Sequence, residues 1–398
     1  MSGFKMDLPS SVLFIIDRMN SCGYSAHVVG GSVRDSFIGR ELGDFDITTN
    51  ARPDETKSVF ADYKTVDTGI KHGTVTLIID DTPYEITTYR VDGEYGDNRH
   101  PDSVSFTASL EEDLMRRDFT VNAMAYDPQG GLVDPFSGCE DAQNKLIRAV
   151  GDPYLRFSED ALRILRALRF ASVLGFEVEQ RTKEAAISLS QNLASISKER
   201  IYAELKKLIS GDSALAVIAE YYPVIAVALG GFEIRRTPDP VLFERADYLT
   251  RLAALIHMNS DAPTDSAECL LASLKTDKLT RTYIKSAYAA YDGASFGDAV
   301  SVLHSLAEYG KEATAAALEL GILEGVFGDS EAGSFDLALS SGKPYTVRDL
   351  DLCGDDLMAL GIRGESIGHT LKLLLSEVID GRVENSRRAL TEYASGLV

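Results

Sequence analysis

Residues 28–49, VVGGSVRDSFIGRELGDFDITT, constrain the fold more than any other part of the chain. An apolar run ends in Gly30-Gly31-Ser32, a helix-like segment carrying Arg34 follows, and Asp44 and Asp46 alternate along a second run. Val28-Val29 reads as a strand end, and the glycine pair lets the backbone approach a ligand with no Cβ in the way. Amides opening the next helix can face a phosphate. Two apart on an extended segment, Asp44 and Asp46 point to one face, and adjacent carboxylates repel unless divalent cations sit between them. A lone Gly-Gly is usually a turn and a lone Asp-x-Asp a solvated strand edge. In this order, with a helix-length spacer, they predict a nucleoside triphosphate site with two metal ions for nucleotidyl transfer.

A chain of 398 residues is expected to form two or more domains. It has no run of about 18 uncharged apolar residues, so no membrane span is expected. The opening MSGFKMDLPS lacks a secretory pattern. Cys22, Cys139, Cys269 and Cys353 are far apart with no Cys-x-x-Cys pair, which predicts four unpaired thiols and a cytoplasmic protein. No His-Asp dipeptide occurs, which argues against an appended metal phosphohydrolase module. The net charge of −21 opposes nucleic-acid binding, which calls for a basic face. Residues 141–207, however, hold twelve Lys/Arg against nine Asp/Glu, so the acid excess lies elsewhere.

Up to about residue 140 strand and helix signals mix. TVTLIID (74–80) and YEITTYR (84–90) are β-rich runs joined by Asp81-Thr82-Pro83, which predicts a hairpin. A polar loop with two glycines spans 91–103, and a helix pattern covers 110–115. Beyond about 141 the pattern is almost entirely helical. The predicted class is α+β. A small mixed or antiparallel head (1–140) precedes an elongated all-α neck (141–210), body (211–339) and tail (340–398).

Three further segments carry chemistry. In EEDLMRRDFTVNA (111–123), Arg116-Arg117-Asp118 leads into what reads as an alternating apolar strand. A charge run on a helix is most often a solvated face. In RFSEDALRILRALRF (156–170), Ser158 is the predicted N-cap, with acids in the first turn. Leu162, Leu165 and Leu168 form the buried stripe. Asp160 and Arg163, at i and i+3, could simply be an intrahelical ion pair. A second reading follows from base edges. Cytosine and adenine present an amino donor beside a ring-nitrogen acceptor, whereas uracil and guanine present the opposite order. A carboxylate beside a guanidinium therefore fits C and A and rejects U and G. In the last segment, 354–368, a glycine-rich turn precedes a helix expected from His369, with Lys343, Arg382, Arg387 and Arg388 near in sequence. It reads as a helix hairpin with a Gly C-cap or as a contact with an RNA backbone.

Taken in order, these motifs resemble the DNA polymerase β-like nucleotidyltransferase superfamily. More narrowly, they resemble its class II branch of CCA-adding tRNA nucleotidyltransferases and bacterial poly(A) polymerases. The resemblance covers residues 25–210 strongly and 340–390 moderately. It implies addition of the 3′-terminal CCA to tRNA from CTP and then ATP. It assigns two Mg²⁺ ions to Asp44 and Asp46, and the triphosphate to Gly30, Gly31, Arg34 and Arg117. Base recognition falls to Asp160 and Arg163, and the nucleotide or the arriving RNA end to Arg166 and Arg169. Asp118 would position Arg117 or support the metal site, and Glu85 is a weaker candidate for a third carboxylate. The loop 91–103, with Arg99, is expected to act as a lever that matters more for A than for C addition. Enzymes adding only CC or only A, a poly(A) polymerase, and a small-molecule (antibiotic) nucleotidyltransferase are the rival readings. Poly(A) polymerases usually carry basic extensions, and CC-only enzymes tend to lack part of the loop that looks complete here. An antibiotic-modifying enzyme needs neither the long helical extension nor a base template.

Overall fold

The computed structural model describes residues 4–67, 69–92 and 104–397. The chain divides into two compact units, residues 1–233 and 234–398.

The first unit begins with α1 (Ser10–Ser21), β1 (Ala26–Val29), α2 (Gly31–Phe37), β2 (Asp46–Thr49) and α3 (Pro53–Val59). Then come β3 (Lys64–Val66), β4 (Thr74–Ile79), β5 (Thr82–Thr88), a small ribbon of β6 (Arg90–Asp92) with β7 (Val104–Phe106), and α4 (Leu110–Met115). The head closes with β8 (Ala125–Asp127), β9 (Gly131–Val133) and α5 (Gly138–Gln143). Seven strands form one sheet in the order β3-β4-β5-β2-β1-β8-β9. Only the β2–β5 pairing in it is parallel, so the head is the mixed sheet expected.

Period-two alternation decides what each face carries. Val28, Ile47, Leu77 and Ile86 point into a core closed by Ile15, Ile16, Met19 and Phe60 of the helical layer. Val29 and Ala125 point the other way, against Leu114 of α4 and Val150. Asp46 and Thr48, flanking Ile47, therefore lie on the α4 side.

The neck adds β10 (Leu146–Ile147), α6 (Pro153–Glu159), α7 (Leu162–Leu174), β11 (Glu177–Val178), α8 (Gln180–Ser188) and α9 (Lys198–Ile209). Two short helices, α10 (Ala214–Glu220) and α11 (Tyr222–Ala228), complete this unit. Leu165, Ala167 and Leu168 of α7 are fully buried, and each such leucine contributes about 1.5–3 kcal/mol. The second unit is helical from α12 (Pro240–Arg245) to α21 (Arg387–Ser395), around a core that includes Leu303, Leu306, Leu374 and Ile379. No helix among the described residues is long and apolar enough to cross a membrane.

Four local expectations change. The hairpin turn is Asp80-Asp81, both at positive φ (48° and 61°), as a two-residue turn matched to strand twist requires. Thr82 and Pro83 already belong to β5, and β2 pairs with β5 only from Glu85 onward. Pro83 thus sits where one edge of the strand is unpaired and its missing N–H is tolerated. After Asp118 the chain makes one bridge, Phe119 to Ala149, and then a 3₁₀ turn over Thr120–Asn122 instead of a strand. Ser158 lies inside α6, whose N-cap is Asp152, while Asp160 sits between α6 and α7 with extended backbone. The helix expected from His369 starts at Glu365, after Gly361 and Gly364 at positive φ.

Candidate active site

β1 ends at Val29, and Gly30 turns the chain into α2 with φ +80° and ψ −134°. That is a conformation essentially reserved for glycine. The glycine pair has a second reason. A Cβ on Gly30 would lie 3.3 Å from Nη1 of Arg117, and one on Gly31 would lie 3.4 Å from Nη2 of Arg34. Each glycine therefore leaves room for one guanidinium against the backbone. Gly30→Ala is expected to cost about 1–3 kcal/mol from backbone strain and to push Arg117 aside. Thermal melts and CTP titration measure both effects; unaltered CTP affinity would sink the cradle reading.

Both arginines are held. Arg34, 6% exposed, donates to Asp35 at 2.9 and 3.0 Å and to Oδ1 of Asn122 at 2.6 Å. Arg117 pairs with Asp113 at 3.5 Å, and its buried Nε has no hydrogen-bond partner among the described residues. Burial lowers the Arg117 pKa, and Asp113 opposes this most strongly, ahead of Asp46. A buried cation with an unsatisfied donor beside bare glycine backbone is the chemistry of an anion site.

Asp44 and Asp46 are exposed; Asp46 opens β2, while Asp44 lies in the irregular segment before it. Although the Asp46 side chain reaches solvent, the protein packed around it raises its pKa first and Asp44 adds to this, with Arg117 working against both. Glu85 is the register partner of Asp46 on parallel β5, so it faces the same side of the sheet. Among the described residues no cluster of three or more His, Cys, Asp or Glu is placed to hold a metal. Two mutually repelling carboxylates supply hard oxygen donors of the kind Mg²⁺ takes, completed by water and substrate phosphate. The residues present fit such an ion.

Asp118, expected to position Arg117 or support the metal site, is bonded instead to Arg166 of α7. Burial works to raise its pKa, but Arg166, at 2.6 and 2.7 Å, and Asn122 hold it down at about 2. Its carboxylate therefore joins the head to α7 and is already satisfied.

Asp160 and Arg163 do not pair with one another. Asp160 accepts the Leu162 amide at 3.0 Å and Arg200 of α9 at 2.9 Å. Arg163, 8% exposed, donates to Glu159 at 2.7 Å and to the carbonyls of Arg156 and Arg116, both at 3.3 Å. The intrahelical ion pair is thus absent, because Asp160 is not on the helix. Arg169 lies 2.9 Å from Glu204, with Arg166 3.9 Å away from the same acid. The Phe170 ring gathers three guanidinium groups, those of Arg34, Arg166 and Arg169, at 5.1, 5.6 and 3.9 Å.

Asp113, Asn122, Glu159, Phe170, Arg200 and Glu204 escaped the reading of the sequence. Two of them carried a signal. Glu204 falls in the stripe Ile201, Leu205, Leu208 of α9, and Asp113 in the stripe Leu110, Leu114 of α4. An acid at an i+3 position of an apolar stripe is buried with its partners. The loop 91–103, with Arg99, lies outside the described residues beyond Asp92.

Comparison with known proteins bears on the whole arrangement. Residues 26–148 match the Poly A polymerase head domain, and residues 175–221 match the probable RNA and SrmB- binding site of polymerase A. A CCA-adding enzyme of Lactobacillus delbrueckii subsp. bulgaricus is 36% identical over 393 residues, covering 95% of this chain and 96% of that one. One from Geobacillus thermodenitrificans is 49% identical over 242 residues, 61% of this chain and 57% of that relative. The crystal structure of the Bacillus stearothermophilus CCA-adding enzyme in complex with CTP superposes with a TM-score of 0.78 at 30% identity. That superposition covers 97% of this chain and 96% of the other. With its head fold, its glycine–arginine loop and a relative matched along nearly its whole length, the chain belongs to the class II CCA-adding enzymes.

Proposed function

We propose that this protein adds the 3′-terminal CCA to tRNA, consuming CTP and then ATP and releasing pyrophosphate. The observation that carries it is the pair of glycines at the β1–α2 turn, each leaving room for one arginine beside the strand that bears Asp46. In this reading Gly30, Gly31, Arg34 and Arg117 cradle the triphosphate, with the Arg117 Nε free to donate. Asp44 and Asp46 would hold two Mg²⁺ ions. When bound, these supply a lowered pKa at the RNA 3′-hydroxyl and neutralise the triphosphate and leaving pyrophosphate. Asp160 accepts from the exocyclic amino group of C or A, and Arg163 donates to the neighbouring ring nitrogen. Arg166 and Arg169 steady the nucleotide or the RNA end. Asp118 fixes Arg166 across the head–neck junction. The neck, body and tail divide at about 141–210, 211–339 and 340–398, the tail meeting tRNA. Four free cysteines support a cytoplasmic location.

Incubating the protein with tRNA truncated before CCA, and with labelled triphosphates singly and in pairs, tests this. CTP alone should add two nucleotides, and CTP with ATP all three. A run of adenylates would favour the poly(A) polymerase reading, arrest after CC a CC-adding enzyme, and extension only of CC-ended tRNA an A-adding enzyme. No RNA extension at all would favour a small-molecule substrate.

A further inference from the structure

Asp113 has no part in the reading above, yet it is the most enclosed charge beside the site, with no exposed surface. Its carboxylate accepts Oγ1 of Thr48 at 3.2 Å and the backbone N–H of Arg90 at 3.3 Å. It also takes Nε and Nη2 of Arg116 at 2.9 and 2.8 Å, and pairs with Nη2 of Arg117 at 3.5 Å. Thr48 and Asp46 are two apart on β2 and share a face. Asp113 therefore docks about 7 Å along the strand from Asp46.

Arg117 interacts electrostatically with two acids, Asp113 and Asp46. Closing onto Asp46 would neutralise a carboxylate needed for a cation and occupy a guanidinium needed for phosphate. We infer that Asp113 is a positioning residue that holds Arg117 against Gly30 and off Asp46, leaving the aspartate open to a divalent cation and the guanidinium open to phosphate. The inference rests on the proposed roles of Asp46 and Arg117. Its support is threefold. Asp113 is wholly screened from solvent, so its charge, though shared with Arg116, reaches Arg117 with little solvent screening. Among the groups that favour the charged form of Arg117, it outranks Asp46. Arg117 also stays close enough to Gly30 that a methyl group there would touch it.

A purely structural role, tying α4 to β2 and β6, is a separate matter: asparagine keeps one acceptor oxygen, for Thr48 at the Oδ2 position or for Arg90 and Arg116 at the Oδ1 position, so Asp113→Asn disturbs both roles. Rescue by a second substitution at Arg117 separates the two. The full-length protein is titrated with Mn²⁺ alone, free ion being followed by electron paramagnetic resonance, and CTP affinity is measured in parallel. Asp113→Asn should weaken Mn²⁺ binding by about tenfold, as loss of a supporting partner does, and raise the CTP KM in step. Adding Arg117→Met to that variant should return Mn²⁺ affinity to within about twofold of native, since no guanidinium then competes for Asp46. A structural role predicts no such rescue. If Asp113→Asn fails to melt cooperatively, Thr48→Val carries the test: losing one anchor of Asp113 should weaken Mn²⁺ binding by about threefold. Asp46→Ala is the control. Should it leave Mn²⁺ binding unchanged, the site reading itself fails. Should it abolish binding while Asp113→Asn leaves Mn²⁺ affinity intact, or while Arg117→Met gives no rescue, this inference alone is overturned.

Discussion

Asp46→Ala, and separately Asp44→Ala, should lose incorporation of both CTP and ATP while the protein melts within a degree or two of native. Both side chains are exposed, so neither supports the core, and exposed substitutions change stability by about 0.5 kcal/mol or less. Two opposing effects cancel further. Removing Asp46 relieves its repulsion with Asp44 but also takes a favourable charge from Arg117, which Asp113 still holds. Activity has no such compensation. Losing one ligand to a catalytic cation removes several kcal/mol of transition-state stabilisation. About 4 kcal/mol corresponds to a loss of roughly a thousandfold. Single-turnover extension of CC-ended and truncated tRNA measures it. Near-normal turnover in either variant with Mg²⁺ present would end the metal assignment.

The second large effect concerns nucleotide choice. Asp160→Ala should relax discrimination of C and A against U and G by about ten- to a hundredfold, because a hydrogen bond to a charged group contributes roughly 1.5–3 kcal/mol. Rejection of the wrong bases by the native protein is larger, since they also leave buried groups unpaired. The geometry makes the carboxylate suitable. A carboxylate offers about four acceptor positions; the Leu162 amide and Arg200 use two and fix its orientation without exhausting it. Arg163→Ala should lower incorporation of both C and A without favouring either. It should also destabilise, because Arg163 is buried and its removal leaves Glu159 to Arg156 alone and the Arg116 carbonyl without its donor. Stability is therefore not diagnostic at this position; selectivity is. Four triphosphates offered singly to both variants decide the question. If both retain native selectivity, the template does not reside here, and the anchoring by Arg200 and Glu159 is merely how α6 meets α7.

The glycine turn and the leucine stripe of α7 were legible in the chain because each is a short-range pattern with a local cause, whereas the expected Asp44–Asp46 alternation changes, since β2 begins only at Asp46. Where the reading failed locally, a competing signal won. Asp152-Pro153 is a stronger helix start than Ser158, because the aspartate accepts the Tyr154 amide and proline suits the first turn. The apolar run after Asp118 looked like a strand, yet its backbone satisfies itself in a 3₁₀ turn once Phe119 is paired with Ala149.

By itself the sequence determined the α+β class, with a mixed head and a helical remainder, and which side chains are candidates for phosphate, metal and base. Tertiary structure alone decided who partners whom. Asp118 meets Arg166 across 48 residues, and Asp160 meets Arg200 across 40. Asp113, which looked like part of a solvated charge run, is sealed between α4 and β2. The physical reason is that spacing encodes only the face on which a side chain lies. A charge's partner depends on which faces pack together, and a buried charge must find one wherever the fold provides it.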